Sequence, residues 1–294
     1  MSEATPLAVT YYPGCSLAST GRDYAESLAV MCERLGVELV ELKDWTCCGA
    51  SSGSLWLSHE AATALPALTL RQAAESQRPL FAPCAACYNR LKVAVRDLRR
   101  EPELVKKLEA TPEMLQVKVI NTVELLRDVV GLERLRELVT VPLTGLQAAA
   151  YYGCLLLRPR DMEPFDDPEQ PTSMEAVIEA TGATAVTWYG RMDCCSAGLA
   201  GTMQEVAEDL VTRIVRQAKA AGAQAAITAC QLCSMNLESR QGPVTPDADP
   251  LPILYLSDLV GLALGVTPGE LGLSRHLVDV RSVLAATELA DAGH

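Results

Sequence analysis

Ten of the chain's eleven cysteines fall into two sets of five with the same internal order, and no other feature restricts the possible folds as strongly. Each set opens on a lone cysteine, Cys15 in "YYPGC" and Cys154 in "YYGC". Each continues with an adjacent pair, Cys47 and Cys48 or Cys194 and Cys195, and closes on a C-x-x-C, Cys84 and Cys87 or Cys230 and Cys233. The offsets between the sets are 139, then 147, then 146 residues. A nearly constant offset across five positions marks an internal duplication, so the fold must assemble the same five thiols twice. The early change in offset coincides with an acidic, proline-containing insertion, "DMEPFDDPEQPTS", at 161–173.

The pattern between the cysteines repeats as well. Apolar runs at 7–12 and 148–152 read as buried strands, and helical spacing follows at 22–35 and 173–181, stopped by Gly36 and Gly182. Short strands are expected at 37–42 and 183–188, then helices over about 55–76 and 199–221. Strands at 79–83 and 224–229 lead into the C-x-x-C pairs, with helices expected to begin near Tyr88 and Ser234. A further strand, 117–122 or 252–257, and a closing helix complete each unit. Strand–helix alternation predicts an α/β fold: two tandem, pseudo-two-fold-related repeats, each a small, mostly parallel sheet with flanking helices. The boundary falls at "TVPLTG", giving a first cysteine-rich repeat over 1–142 and a second over 143–294. Every motif cysteine then lies at the carboxyl end of a predicted strand, where open parallel sheets bind ligands.

Composition narrows the chemistry. A net charge of −12 argues against a nucleic-acid partner, which calls for a basic surface. The N-terminus lacks a basic n-region and a long apolar run, and the apolar stretch 253–265 is short and interrupted by Asp258. A cytoplasmic protein without a membrane span is expected, in which cysteines serve metal or redox chemistry more often than disulfides. Cys32, inside a predicted helix and without a counterpart, reads as core. Structural zinc takes four ligands, which leaves one thiolate over in each set. Iron–sulfur chemistry uses thiolates on several irons and accommodates five, with Gly14, Gly49, Gly153 and Gly198 allowing close backbone approach. Zinc in either site stays an alternative.

No other catalytic constellation competes. Of the three histidines, His59 reads as an exposed helix residue and His294 is terminal, with His276 the third. No phosphate-binding or dinucleotide motif is present, so no flavin or nucleotide is expected in this chain and electrons must come from another protein. Arg158 and Arg160 are candidates for an anionic substrate tail or for a solvated loop. Trp45 and Trp188 precede the two cysteine pairs and either shield the sites from water or pack ordinarily.

The two sets, C-x31-C-C-G-x34-C-x-x-C and C-x39-C-C-S-x33-C-x-x-C, resemble the cysteine-rich CCG domains of the B-type subunit of heterodisulfide reductase. The likeness spans roughly residues 7–240 and includes "YYGCLLLRP" and "DDPEQPTSMEAVIEATGA". It implies two non-cubane [4Fe-4S] clusters, one on Cys15, Cys47, Cys48, Cys84 and Cys87 and one on Cys154, Cys194, Cys195, Cys230 and Cys233. These ten residues would act in catalysis through the clusters they hold. The implied reaction is an oxidoreductase step on a sulfur group: reductive cleavage of a coenzyme disulfide between the clusters, each giving one electron. The implied partners are a ferredoxin-like iron–sulfur subunit of the C type and a flavin-containing subunit of the A type. Related domains occur in thiol-linked fumarate reductases and in a membrane-associated succinate dehydrogenase subunit. The alternative is therefore a non-catalytic electron-transfer or quinone-linked subunit of such a dehydrogenase complex. The sequence departs from the pattern at Ser196, where the second C-C-G has lost its glycine, and Gly198 is expected to take over the backbone role.

Overall fold

Two four-stranded parallel sheets, one per repeat, organise the chain in the computed structural model, which describes residues 7–50, 58–241 and 250–286. The first contains β1 Leu7–Tyr11, β2 Val37–Glu41, β3 Leu80–Phe81 and β4 Val119–Ile120, in the order β2-β1-β3-β4. The second contains β5 Gln147–Tyr151, β6 Thr184–Ala185, β7 Ala225–Thr228 and β8 Ile253–Tyr255, in the order β6-β5-β7-β8. The tandem α/β repeats expected from the cysteine spacing are thus present with identical topology. β3, β4, β7 and β8 are buried throughout, as parallel strands covered on both faces must be, which is why they read as short apolar runs.

The order of the strands positions the site. In each sheet the first strand lies between the second and the third, so the chain leaves the first strand toward one edge of the sheet and leaves the third toward the other. That arrangement opens a crevice beyond the carboxyl ends of β1 and β3, and of β5 and β7, the usual ligand position in doubly wound sheets.

Local structure follows the sequence with three corrections. The helix Arg22–Leu35 buries Leu28, Met31 and Leu35 and ends at Gly36 with φ 69°, the left-handed conformation glycine adopts without strain. Cys32 lies in its core face, 1% exposed, and burial pushes its thiol pKa up to about 12. The strand expected over 183–188 shrinks to Thr184–Ala185, because the chain turns to bury Trp188 under β5, where its Nε1 donates to the Ala150 carbonyl at 3.0 Å. The helix expected from 199 begins only at Gln204. The helices expected from Tyr88 and Ser234 instead start three residues earlier, Ala85–Arg100 and Gln231–Ser239. Cys84 and Cys230 take the extended N-cap position, and the C-x-x-C becomes the first helical turn. The first residues of the helix expected over 55–76 lie outside the described residues, as does His294; from His59 to Ser76 the helix is present.

The repeats share one continuous buried core. The helix Arg22–Leu35 packs on the helix Leu256–Ala263, where Ser27 Oγ donates to Asp258 Oδ1 at 2.5 Å and Tyr24 stacks on Tyr255 with centroids 4.4 Å apart. The connecting segment already bonds to the second repeat, with Thr140 and Val141 N–H both on the Ala263 carbonyl. Among the described residues no helix is long and apolar enough to cross a membrane.

Candidate metal centres

The ten motif cysteines gather at the two crevices. Cys15 follows β1 in the single turn Gly14–Leu17, Cys47 and Cys48 lie in the loop after β2, and Cys84 and Cys87 start the helix after β3. In the second repeat Cys154 follows β5, Cys194 and Cys195 follow the turn Gly190–Met192, and Cys230 and Cys233 start the helix after β7. Sulfur atoms approach to 3.9 Å for Cys15–Cys47 and 3.2 Å for Cys48–Cys87. The corresponding pairs are Cys154–Cys194 at 3.7 Å and Cys195–Cys233 at 3.6 Å. Three sulfurs form a buried floor in each site, those of Cys48, Cys84 and Cys87 or of Cys195, Cys230 and Cys233. The other two form an open lip: Cys15 and Cys47 are exposed, Cys194 is exposed and Cys154 half-buried.

Matched side chains hold each arrangement. The Tyr12 hydroxyl donates to the Thr46 carbonyl at 2.6 Å, and the Tyr151 hydroxyl donates to the Asp193 carbonyl at the same distance. Each tyrosine therefore pins the residue just before the adjacent cysteines. Trp45 meets Tyr12 edge-on and Trp188 lies against Tyr151, so the tryptophans back these tyrosines in the packing of the loop. Gly14 and Gly153 have φ 68° and 64°, and a Cβ there would stand 2.8 Å from Cys87 Sγ or 3.0 Å from Cys233 Sγ. Only glycine admits both the backbone conformation and the sulfur.

The C-C turns close on hydrogen bonds to sulfur. Gly49 N–H donates to Cys47 Sγ at 3.4 Å, and Ser196 N–H donates to Cys194 Sγ at 3.3 Å. Ser196 adopts the left-handed conformation itself, φ 59° against 72° for Gly49. The expectation for Gly198 is thereby corrected. That glycine is not left-handed, and a Cβ on it would meet nothing within 4 Å. The N–H bond to Cys194 fixes the turn, and the serine accepts the strain.

Crowded thiols set the electrostatics. Cys84 is lowered to about 6, chiefly because Cys87 donates its S–H, and Cys194 is lowered to about 6 because Cys154 donates to it. Cys48 and Cys195 are lowered chiefly by their hydrogen bonds with Cys87 and Cys233. Their partners are raised in turn: Cys87, Cys233 and Cys154 chiefly through these same bonds, and Cys15, open to solvent on one side, chiefly by partial desolvation. Arg90 beside Cys48 and Arg158 beside Cys194 are the cations that favour thiolate. These cations are too few for five thiolates, so protons stay on part of each set; a metal that takes thiolates displaces them. All-sulfur donors are soft ligands suited to iron–sulfur centres and zinc, and five exceed the tetrahedral four of zinc. The donor set fits a cluster with more than one metal ion.

Of the two arginines singled out in the sequence, Arg160 is engaged by Glu169 at 2.5 Å. Arg158 is exposed near Cys194 and makes no ion pair among the described residues. His59 is exposed, as expected, and bonds to Glu101 at 2.9 Å. With Asp97 it forms a compact cluster, but Arg96 occupies the buried Asp97 at 2.6 Å, making this an ion-pair group. His276 lies buried between Glu238 and Asp258 at 2.8 and 3.1 Å. Burial opposes its charge, but these hydrogen bonds outweigh it and raise its pKa to about 10.

Two residues that the cysteine pattern did not flag join the sites. Gln231, between Cys230 and Cys233, donates from Nε2 to Cys84 Sγ of the first repeat at 3.0 Å. Asn89, two residues after Cys87, donates to the carbonyls of Leu155, at 2.9 Å, and Arg158 in the loop after Cys154. Each C-x-x-C helix thus docks on the other repeat. Beside Gln231 a cavity of about 410 Å³ opens between the loop after Cys15 and the helix carrying Cys233, lined in part by Ser16, Gly21, Leu232 and Met235.

The family model for the CCG cysteine-rich domain matches residues 9–92 and 148–238, one copy on each sheet and each spanning its five cysteines. The chain belongs to the CCG family. Among its relatives, the 8-methylmenaquinol:fumarate reductase membrane anchor subunit of Wolinella succinogenes is 30% identical, over 92% of this chain and 96% of that protein. The B-type subunit of the ferredoxin:CoB-CoM heterodisulfide reductase of Methanosarcina mazei is 27% identical, over 97% of this chain and 98% of the relative. The family read from the cysteine spacing is thus the one to which the chain's homologues point. A solved structure, a hypothetical protein from Helicobacter pylori, shares the fold with a TM-score of 0.67 at 15% identity. That likeness covers 94% of this chain and 53% of the other.

Proposed function

We propose that this chain is the iron–sulfur subunit of a cytoplasmic heterodisulfide-reductase-like complex. In this reading repeat 1–142 holds one non-cubane [4Fe-4S] cluster on Cys15, Cys47, Cys48, Cys84 and Cys87. Repeat 143–294 holds another on Cys154, Cys194, Cys195, Cys230 and Cys233. The chain reduces a small-molecule disulfide where the repeats meet. The observation that carries the reading is the hydrogen bond from Gln231 to Cys84 at 3.0 Å, which brings the two ligand sets side by side.

The clusters, when bound, supply one electron each. Splitting a disulfide takes two electrons and two protons and releases two thiols, so paired one-electron sites at one junction match its stoichiometry. The chain's residues do the rest. The buried sulfur floors shut water out from below, and Cys15, Cys47 and Cys194 leave each site open above. The cavity of about 410 Å³ is of a size for part of a thiol coenzyme. Arg158 offers a guanidinium beside Cys194 for an anionic tail. Electrons arrive from a ferredoxin-like subunit, fed by a flavin-containing one.

A second reading has its own support. The relative at 30% identity is named as part of a quinol-linked fumarate reductase, which favours an electron-transfer subunit with no disulfide substrate. Anaerobic purification, metal analysis and a disulfide assay with a low-potential artificial donor separate the two. About eight irons per chain and thiol release from a panel of mixed disulfides are expected. Full iron with no thiol release, but with electron exchange to a quinol analogue or dehydrogenase partner, would replace the first reading by the second. One or two zinc ions and no iron would overturn both.

A further inference from the structure

We propose that Gln231 makes the two clusters unequal, raising the reduction potential of the one on Cys84 through an N–H···S hydrogen bond donated across the repeats. This rests on the reading that the ten cysteines hold two clusters.

Several observations converge on this residue. The bond is 3.0 Å long and closed to solvent, with Gln231 3% and Cys84 2% exposed. A ligating sulfur only accepts, so the amide must present nitrogen to it. Gln231 Oε1 is then left buried with no hydrogen-bond partner among the described residues. An orphaned buried acceptor destabilises the fold, and an apolar side chain would avoid it, so folding does not account for a glutamine here. The loop after Cys15 is also shaped to admit it: a Cβ on Gly21 would stand 3.0 Å from Gln231 Cγ.

The contact runs one way. The residue after Cys84 that corresponds to Gln231 is Ala85, whose side chain has no donor to return to Cys230. A donor on a ligating sulfur draws charge from it and favours the reduced, more negative cluster. The cluster on Cys84 is therefore reduced first, and the hydrogen bond gives the electrons an order of filling that the near-symmetric ligands do not.

The test is a potentiometric titration followed by electron paramagnetic resonance on the anaerobically purified full chain, comparing wild type with Gln231→Met. The Cys47→Ala and Cys194→Ala variants assign each signal to its repeat. In Gln231→Met the reduced-to-oxidised ratio of the Cys84 cluster at fixed potential should fall roughly tenfold, about 59 mV for one electron, while the other cluster stays put. An unchanged Cys84 cluster, or a shift confined to the cluster on Cys230 and Cys233, would overturn the proposal. A second measurement needs no substitution at Gln231. Pulsed resonance on Cys194→Ala, with glutamine labelled with nitrogen-15 and solvent exchanged to deuterium, should show both nuclei coupled to the remaining cluster. Their absence would sink the proposal even if Gln231→Met fails to fold. Failure of the underlying reading shows separately, as wild type without iron.

Discussion

The first site closes its C-C turn with Gly49 at φ 72°, the second with Ser196 at φ 59°, and both turns aim an N–H at the preceding cysteine sulfur. The requirement is a backbone conformation, and glycine is only its least strained solution. The closing helices differ more deeply. In the first repeat Asn121 and Glu124 form a self-contained capping box. In the second, Asp258 caps Tyr255 N–H and also takes Ser27 from the first repeat and His276 from the C-terminal segment. The sulfur shells are near copies, whereas the cap of the second closing helix takes hydrogen bonds from both repeats. Duplication has kept what a cluster needs and let the surroundings diverge.

The strongest way to break this equivalence is to remove one ligand per site. On the proposed disulfide reading, in which the sites act as a unit, Cys47→Ala and Cys194→Ala should each leave about half the iron and lower disulfide reduction by roughly two orders of magnitude or more. A variant that keeps half the rate would show two independent sites. Iron analysis and thiol release read both outcomes.

Next in size is the junction. His276→Ala leaves Glu238 and Asp258 buried without their cation, and should cost about 3–5 kcal/mol in denaturant unfolding. The pH dependence has a definite sign. The folded pKa of His276 is raised from 6.5 to about 10, so its contribution is complete below about 6.5 and lost as pH rises through about 10. Wild type should weaken across that alkaline window relative to His276→Ala; parallel profiles would remove His276 from the account.

Gly14→Ala and Gly153→Ala sharpen the comparison at the sulfurs. The left-handed backbone costs about 1–2 kcal/mol for alanine, and the clash with sulfur adds to it. The first site, at 2.8 Å against 3.0 Å, should lose more iron than the second. The smallest effect belongs to the C-C turn: Ser196→Gly should stabilise the chain by about 1 kcal/mol, and Gly49→Ser should destabilise it by a similar amount. Equal melting temperatures for wild type and Ser196→Gly would mean that the serine carries no strain.

Much of the architecture was legible in the chain itself. The duplication, the strand–helix alternation and the two sets of five cysteines are written in periodicity and spacing. The family followed from the same spacing. The misjudged boundaries are informative. The helices after β3 and β7 begin inside the C-x-x-C because Cys84 and Cys230 serve as N-caps, a position where cysteine has no recognised preference. β6 is short because burying Trp188 outweighs continuing the ladder.

Tertiary structure alone decided the rest. Ser27 and Asp258 are 231 residues apart, and Gln231 and Cys84 are 147 apart. No local window contains both partners, so no propensity or period can announce the bond. Ser196 is left-handed because the loop pinned by Tyr151 at Asp193 leads into a turn closed on the Cys194 sulfur, against the serine's own preference. A linear pattern specifies which groups are available and on which face of which element they start. Which of them meet depends on how two buried surfaces pack, and that is settled only when the whole core closes.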